Sequence, residues 1–197
     1  ALDCSNSFPS GGTCTLWDLK DLGPNDYYWH YGPDMKPGDY GKNIISLHAY
    51  DNDAYACIIT HNIIDEENDL IEPETNAGDI TSGIGELSQF INVFAWEDTT
   101  QNNVYDVGEP IIAQLNTPLT TAIGTIPLTE SNTKYIGLEW CFGTQSLIDN
   151  QIVCNGSSVT DLAQSDIMNA YITAYIEQQR NNPGFSCASV VLPTPAP

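Results

Sequence analysis

Residues 133–142, TKYIGLEWCF, put Tyr135, Gly137, Glu139 and Cys141 on one side of an extended chain and Ile136, Leu138, Trp140 and Phe142 on the other. That period of two belongs to a strand, whose successive side chains point to opposite faces. Residues 41–51 repeat the pattern, with Ile45, Leu47 and Ala49 alternating with Ser46, His48 and Tyr50. Residues 167–178 are the one stretch that could pass for a helix. There Met168, Ala170, Ile172, Ala174 and Ile176 alternate with Asn169, Tyr171, Thr173, Tyr175 and Glu177, and the β-branched and aromatic content favours a strand. Further strands are expected at 16–22, 54–61, 87–96 (with Phe90, Val93 or Phe94, and Trp96 in the core) and from 111 to 115. An acidic loop of about twenty residues is expected after 61. Many strands, turn residues such as Pro37-Gly38 and 180–184, and almost no helical periodicity predict an all-β fold, an antiparallel β-sandwich.

The strands divide the chain into an extended N-terminal arm at 1–15, one sandwich domain at 16–187 and a Pro-rich tail at 188–197. A chain of 197 residues is long enough for one substantial core. It begins at Ala1 without a charged, apolar leader, as expected of a mature form whose signal peptide has been removed. No apolar run reaches membrane-spanning length.

Charge narrows the possible partners. Twenty-six acidic residues face five basic ones (Lys20, Lys36, Lys42, Lys134 and Arg180), a formal net charge of −21. Such a surface repels nucleic acid and anionic lipid, and repels itself unless cations gather on it. The acids cluster at 51–53, 65–79 and 98–109, which favours bound Ca²⁺ over acidity spread for solubility.

The sharpest cluster is the stretch WEDTTQNNVYDVGEP. With Asp98 as position 1, Thr100, Asn102, Val104, Asp106 and Glu109 fall at positions 3, 5, 7, 9 and 12 of a twelve-residue calcium loop. Position 7 supplies a backbone carbonyl and position 12 a carboxylate able to bind through both oxygens. Asn103 stands where the tight turn usually needs Gly, and Asn is the next residue to tolerate positive φ. A second, irregular site is expected from Asp65, Glu67, Asp69 and the Ile71 carbonyl, with Glu72, Glu74 or Asp79 as the closing carboxylate. Asp51, Asn52 and Asp53 read as a turn.

Six cysteines, at 4, 14, 57, 141, 154 and 187, form an even set without the C-x-x-C spacing of zinc or redox sites. Together with an Asn-Gly-Ser acceptor for glycosylation at Asn155, they point to an oxidising, extracellular setting. Short loops close at least entropic cost, so Cys4–Cys14 and Cys141–Cys154 are the expected pairs, leaving Cys57–Cys187.

Catalytic signatures are sparse. The histidines His30, His48 and His61 form no H-E-x-x-H pair, and no G-x-S-x-G elbow accompanies the serines. Trp17, Trp29, Trp96 and Trp140 could present a sugar platform, although core packing is their ordinary use. No catalytic residue is expected and the chain is read as a non-enzyme.

The order of several short motifs resembles the TasA/camelysin-like family of secreted bacterial and archaeal proteins. These are Met35-Lys36-Pro37-Gly38-Asp39-Tyr40-Gly41, the strand ending in His48, and Asp51-Asn52-Asp53-Ala54-Tyr55-Ala56-Cys57. Next come Glu72-Pro73-Glu74 with Ala77-Gly78-Asp79, and then Gly85-Glu86-Leu87-Ser88. Tyr135 to Cys141 and Gln178 to Pro183 complete the series. The resemblance implies a jelly-roll-like sandwich that polymerises into extracellular fibres or pili of biofilm matrix. In such fibres a terminal segment of one copy completes the sheet of the next. By that analogy residues 1–15 donate the strand; by composition residues 188–192, with Val190, Val191 and Leu192, could do so. The expected function is therefore a structural subunit of a cell-surface filament that partners itself, stiffened by calcium and disulfides and decorated with surface glycans. The alternatives are a camelysin-like secreted metallopeptidase or a carbohydrate-binding module.

Overall fold

The structure, a computed structural model, describes residues 35–192. The N-terminal arm, the strand expected at 16–22, the Cys4–Cys14 pair, His30, Trp17, Trp29 and residues 193–197 lie outside the described residues.

The fold is all-β. In chain order its strands are β1 (Tyr40–Ala49), β2 (Ala54–Glu66), β3 (Ile91–Glu97), β4 (Ile111–Pro118), β5 (Ile123–Leu128), β6 (Asn132–Phe142), β7 (Thr144–Ile148), β8 (Gln151–Asn155) and β9 (Ile167–Gln178). Two short helices, α1 (Glu72–Ala77) and α2 (Leu87–Phe90), fall between β2 and β3. The strands form antiparallel sheets ordered β1-β6-β3-β4 and β5-β2-β9, with β7-β8 as a separate hairpin. Inward residues of both larger sheets share one apolar core. Leu47, Val93, Ala95, Ile136, Leu138, Trp140 and Phe142 come from one sheet; Ala54, Ala56, Ile58, Ile123, Ile126 and Leu128 come from the other. The alternation of residues 133–142 thus sorts them as expected, Ile136 through Phe142 inward.

The opposite face of β6 is buried too, which a solvated outer face would not require. A second apolar cluster of Phe94, Trp96 and Tyr105, with Leu115 and Ile152 against it, covers the outside of the four-stranded sheet. Gly137 makes this possible, since a Cβ there would stand 2.3 Å from the Trp96 indole. The β7-β8 hairpin is tied to β6 by Cys141–Cys154, and Cys57–Cys187 fastens the chain end to β2. Cys141–Cys154 is the pair expected from its short loop, and Cys57–Cys187 the pair left over.

Besides β5, β7 and β8, which the alternation does not single out, three regions differ from the expectation. β2 runs on to Glu66 instead of ending at 61, because a bulge with Asn62 at φ 48° breaks the alternation without ending the pairing with β9. The region expected as a loop holds α1, started by Pro73 in its first turn and ended by Gly78 at φ 105°. Residues 87–90 form one helical turn before β3 because both oxygens of Asp65 accept from Ser88, from its N–H and its hydroxyl.

Candidate metal centres and an uncovered sheet edge

The 98–109 loop joins β3 to β4, and its neck is closed by the Glu97 N–H donating to the Pro110 carbonyl at 2.8 Å. Its two terminal carboxylates are turned inward, Asp98 at 1% and Glu109 at 8% exposure. Asp98 accepts from the N–H groups of Asn102 and Asn103, at 3.2 and 2.7 Å. Glu109 accepts from the N–H groups of Thr99, Thr100 and Asp106. Asn103 takes φ 58°, which places its N–H for Asp98 and lets the loop turn back. Thr100 Oγ1 lies 3.4 Å from Asp98 Oδ1 and 3.1 Å from Asp106 Oδ2, and Asn102 Nδ2 lies 2.9 Å from Asp106 Oδ2. Oxygens at positions 1, 3 and 9 therefore share one side of the loop, whereas at position 5 it is the Asn102 amide nitrogen that faces Asp106. Val104 is exposed and its N–H donates to Asn102 Oδ1. Tyr105 anchors the loop, edge-on to Phe94 with ring centres 5.1 Å apart.

The second acidic segment is gathered differently from the spacing. Glu67 and Glu74 converge, but their third companion is Asp166, immediately before β9; each offers an oxygen within 4.8 Å of the others. Among the expected ligands, Asp65 serves Ser88, the Asp69 carbonyl accepts from Ser165, and the Ile71 carbonyl accepts from Thr75. Glu74 is fully buried, with Ile71 N–H and the Ser165 hydroxyl as donors. Asp79, 4% exposed, receives Thr81 on Oδ1, and Asp166 receives the Glu86 N–H. Glu72, in the first turn of α1, is exposed. Gly85 allows this approach, because a Cβ there would meet the Asp166 carboxyl at 2.8 Å. Burial pushes Glu67 up to about 7, and the carboxylates of Glu74 and Asp166 push the same way. Burial also raises Glu86 and Asp166, whereas the Thr81 N–H holds Asp79 below its usual value. Sequence spacing could not have supplied Asp166 or Glu86, which are brought in by the sheet pairing and the α2 turn.

A third feature is an edge. Strand β9 pairs with β2, and no described strand pairs with its other side. Proteins usually blunt such edges with Lys, Pro, bulges or glycine. Strand β1 carries Lys42, β4 is bulged and holds Asn116 at φ 62°, and β5 contains Gly124 and Pro127. The sequence of β9, IMNAYITAYIEQ, has no Lys, Pro or Gly, its one charge is Glu177, and Ile167, Tyr171 and Ile176 are exposed.

The remaining expected sites are placed as follows. His48 pairs with Thr133 and Ser46, and His61 with Thr173, so both are bonded strand residues. Trp96 and Trp140 are buried in the two cores and offer no sugar platform. Asn155 is exposed at the end of β8, with its Oδ1 accepting from Ser157 N–H. No helix among the described residues is long and apolar enough to cross a membrane. Compared with known proteins, the chain matches no family model, no curated sequence and no solved structure.

Proposed function

We propose that this chain is a structural subunit of an extracellular filament, in which a terminal segment of one copy pairs along β9 of the next. The observation that carries the reading is the twelve-residue β9, an edge among the described strands and without a blunting residue before Glu177. An exposed row of backbone N–H and C=O groups is a template for a further strand, and main-chain hydrogen bonds supply the affinity. A donated strand would bring the three-stranded sheet to four, equal to its partner, giving the eight strands of a jelly roll.

The N-terminal arm, residues 1–15, is the proposed donor. The other candidate begins in a 3-10 turn, Cys187–Ser189, immediately after the disulfide to Cys57, which restricts its reach. Ca²⁺ in the 98–109 loop would neutralise part of the −21 charge so that subunits can pack. Surface glycan at Asn155 belongs to the same extracellular reading. Electron microscopy of the full chain and of a chain lacking residues 1–15 tests it. Filaments from the first and none from the second are expected; unchanged filaments from the truncated chain would remove that arm from the mechanism.

A further inference from the structure

Carboxylates from separate stretches of chain meet beside the start of β9: Glu67 after β2, Glu74 in α1, Asp79 after α1, Glu86 before α2 and Asp166 before β9. Buried oxygens on four of them face no donor, namely both of Glu67, Oδ2 of Asp79, Oε2 of Glu86 and Oδ1 of Asp166. Asp79 is the telling residue. It is 4% exposed, one oxygen is held by Thr81, and the carboxyl group lies within hydrogen-bonding reach of Glu67, which has no proton to give when ionised. Acceptors turned on one another in a water-poor site are unfavourable unless protons or a cation come between them.

We infer that Glu67, Glu74 and Asp166, flanked by Asp79 and Glu86, form a binding site for a divalent cation of calcium type. Oxygens within 4.8 Å of one another can share one ion whose bonds are about 2.3–2.6 Å long. Every candidate ligand is a carboxylate oxygen, the donor set of a hard cation, whereas zinc prefers nitrogen and sulfur. Several protein carboxylates from distant segments suit calcium better than magnesium, which keeps most of its water and takes one or two. Bound there, the ion ties the end of β2, helix α1 and the root of β9 into one unit. This site is separate from the 98–109 loop and does not require the filament reading.

Calorimetric titration of CaCl₂ into the chelator-treated full chain tests the assignment, with Glu67→Gln and Asp166→Asn beside the wild type. Each variant should lose one bound ion, or at least about tenfold in affinity for it. Asp106→Asn, in the other loop, should retain that ion. Thermal unfolding adds a readout that a merely structural role would not give. In chelator Glu67→Gln should melt above the wild type, because a repelled carboxylate has gone, and in calcium its rise should be smaller. Variants that bind as many ions with the same affinity and show the same calcium-dependent rise would overturn the inference, as would a wild type that binds none. If Glu67→Gln fails to fold by circular dichroism, Asp166→Asn decides by the same comparison.

Discussion

Lys42 Nζ stands 3.1 Å from Oε2 of Glu139, a carboxylate with no exposed surface on the outer face of β6. Burial pushes Glu139 up to about 7, although Lys42 draws it the other way. A carboxyl group that holds its proton more tightly folded than unfolded stabilises the fold below its unfolded value and loses that contribution as pH rises through the folded one. The window is therefore from about 4.5 to about 7. The whole span is worth on the order of 3 kcal/mol. Glu139→Gln should flatten the decline, so that urea unfolding at pH 5 and pH 8 differs less than in the wild type. Parallel pH profiles would show that Glu139 does not titrate in this window.

Gly137→Ala reverses the usual sign for a strand. Alanine ordinarily suits a strand better than glycine, but here its methyl would enter the Trp96 ring, 2.3 Å from the nearest carbon. A loss of about 1–3 kcal/mol is expected from the displaced indole. Near-ultraviolet circular dichroism should weaken as the Trp96, Phe94 and Tyr105 cluster loosens.

The Cys57–Cys187 bridge closes a loop of 130 residues. Its removal as Cys57→Ser with Cys187→Ser should cost about 5 kcal/mol through the freed unfolded chain. The Cys141–Cys154 pair, separated by 13 residues, should cost about 3 kcal/mol. Denaturant midpoints of the two double variants give the order directly, and the reverse order would contradict it.

Asp106 is exposed and takes its hydrogen bonds from Thr100 and Asn102, so Asp106→Asn should leave the loop folded while removing a charge from the proposed calcium ligands. Calcium should raise the melting temperature of this variant less than that of the wild type. An equal rise would leave the 98–109 loop without a calcium role.

Strong alternation was legible in the residues: β1, β6 and β9 could be read directly, Cys141–Cys154 followed from loop length, and Cys57–Cys187 was the pair left over. Other parts were hidden for physical reasons. Gly124 and Pro127 disguise β5 because each is a poor strand former, tolerated there on an edge. The β7-β8 hairpin turns on Asp149-Asn150, both at positive φ, a weaker signal than Asn-Gly. The extension of β2 was masked by its bulge. In the acidic segment, regular loop spacing suggested ligands in sequence order, but Asp65 and Ile71 serve helix starts, and the carboxylates that converge come from long-range pairing. Asp166 could be found only once β9 was seen against β2.

The most direct measurement is electron microscopy of the purified full chain, beside a Tyr171→Lys, Ile176→Lys variant that charges β9. Long regular filaments from the wild type, and folded single particles from the variant, are what strand addition at β9 predicts. Single particles from both, in calcium and after chelation alike, would contradict it.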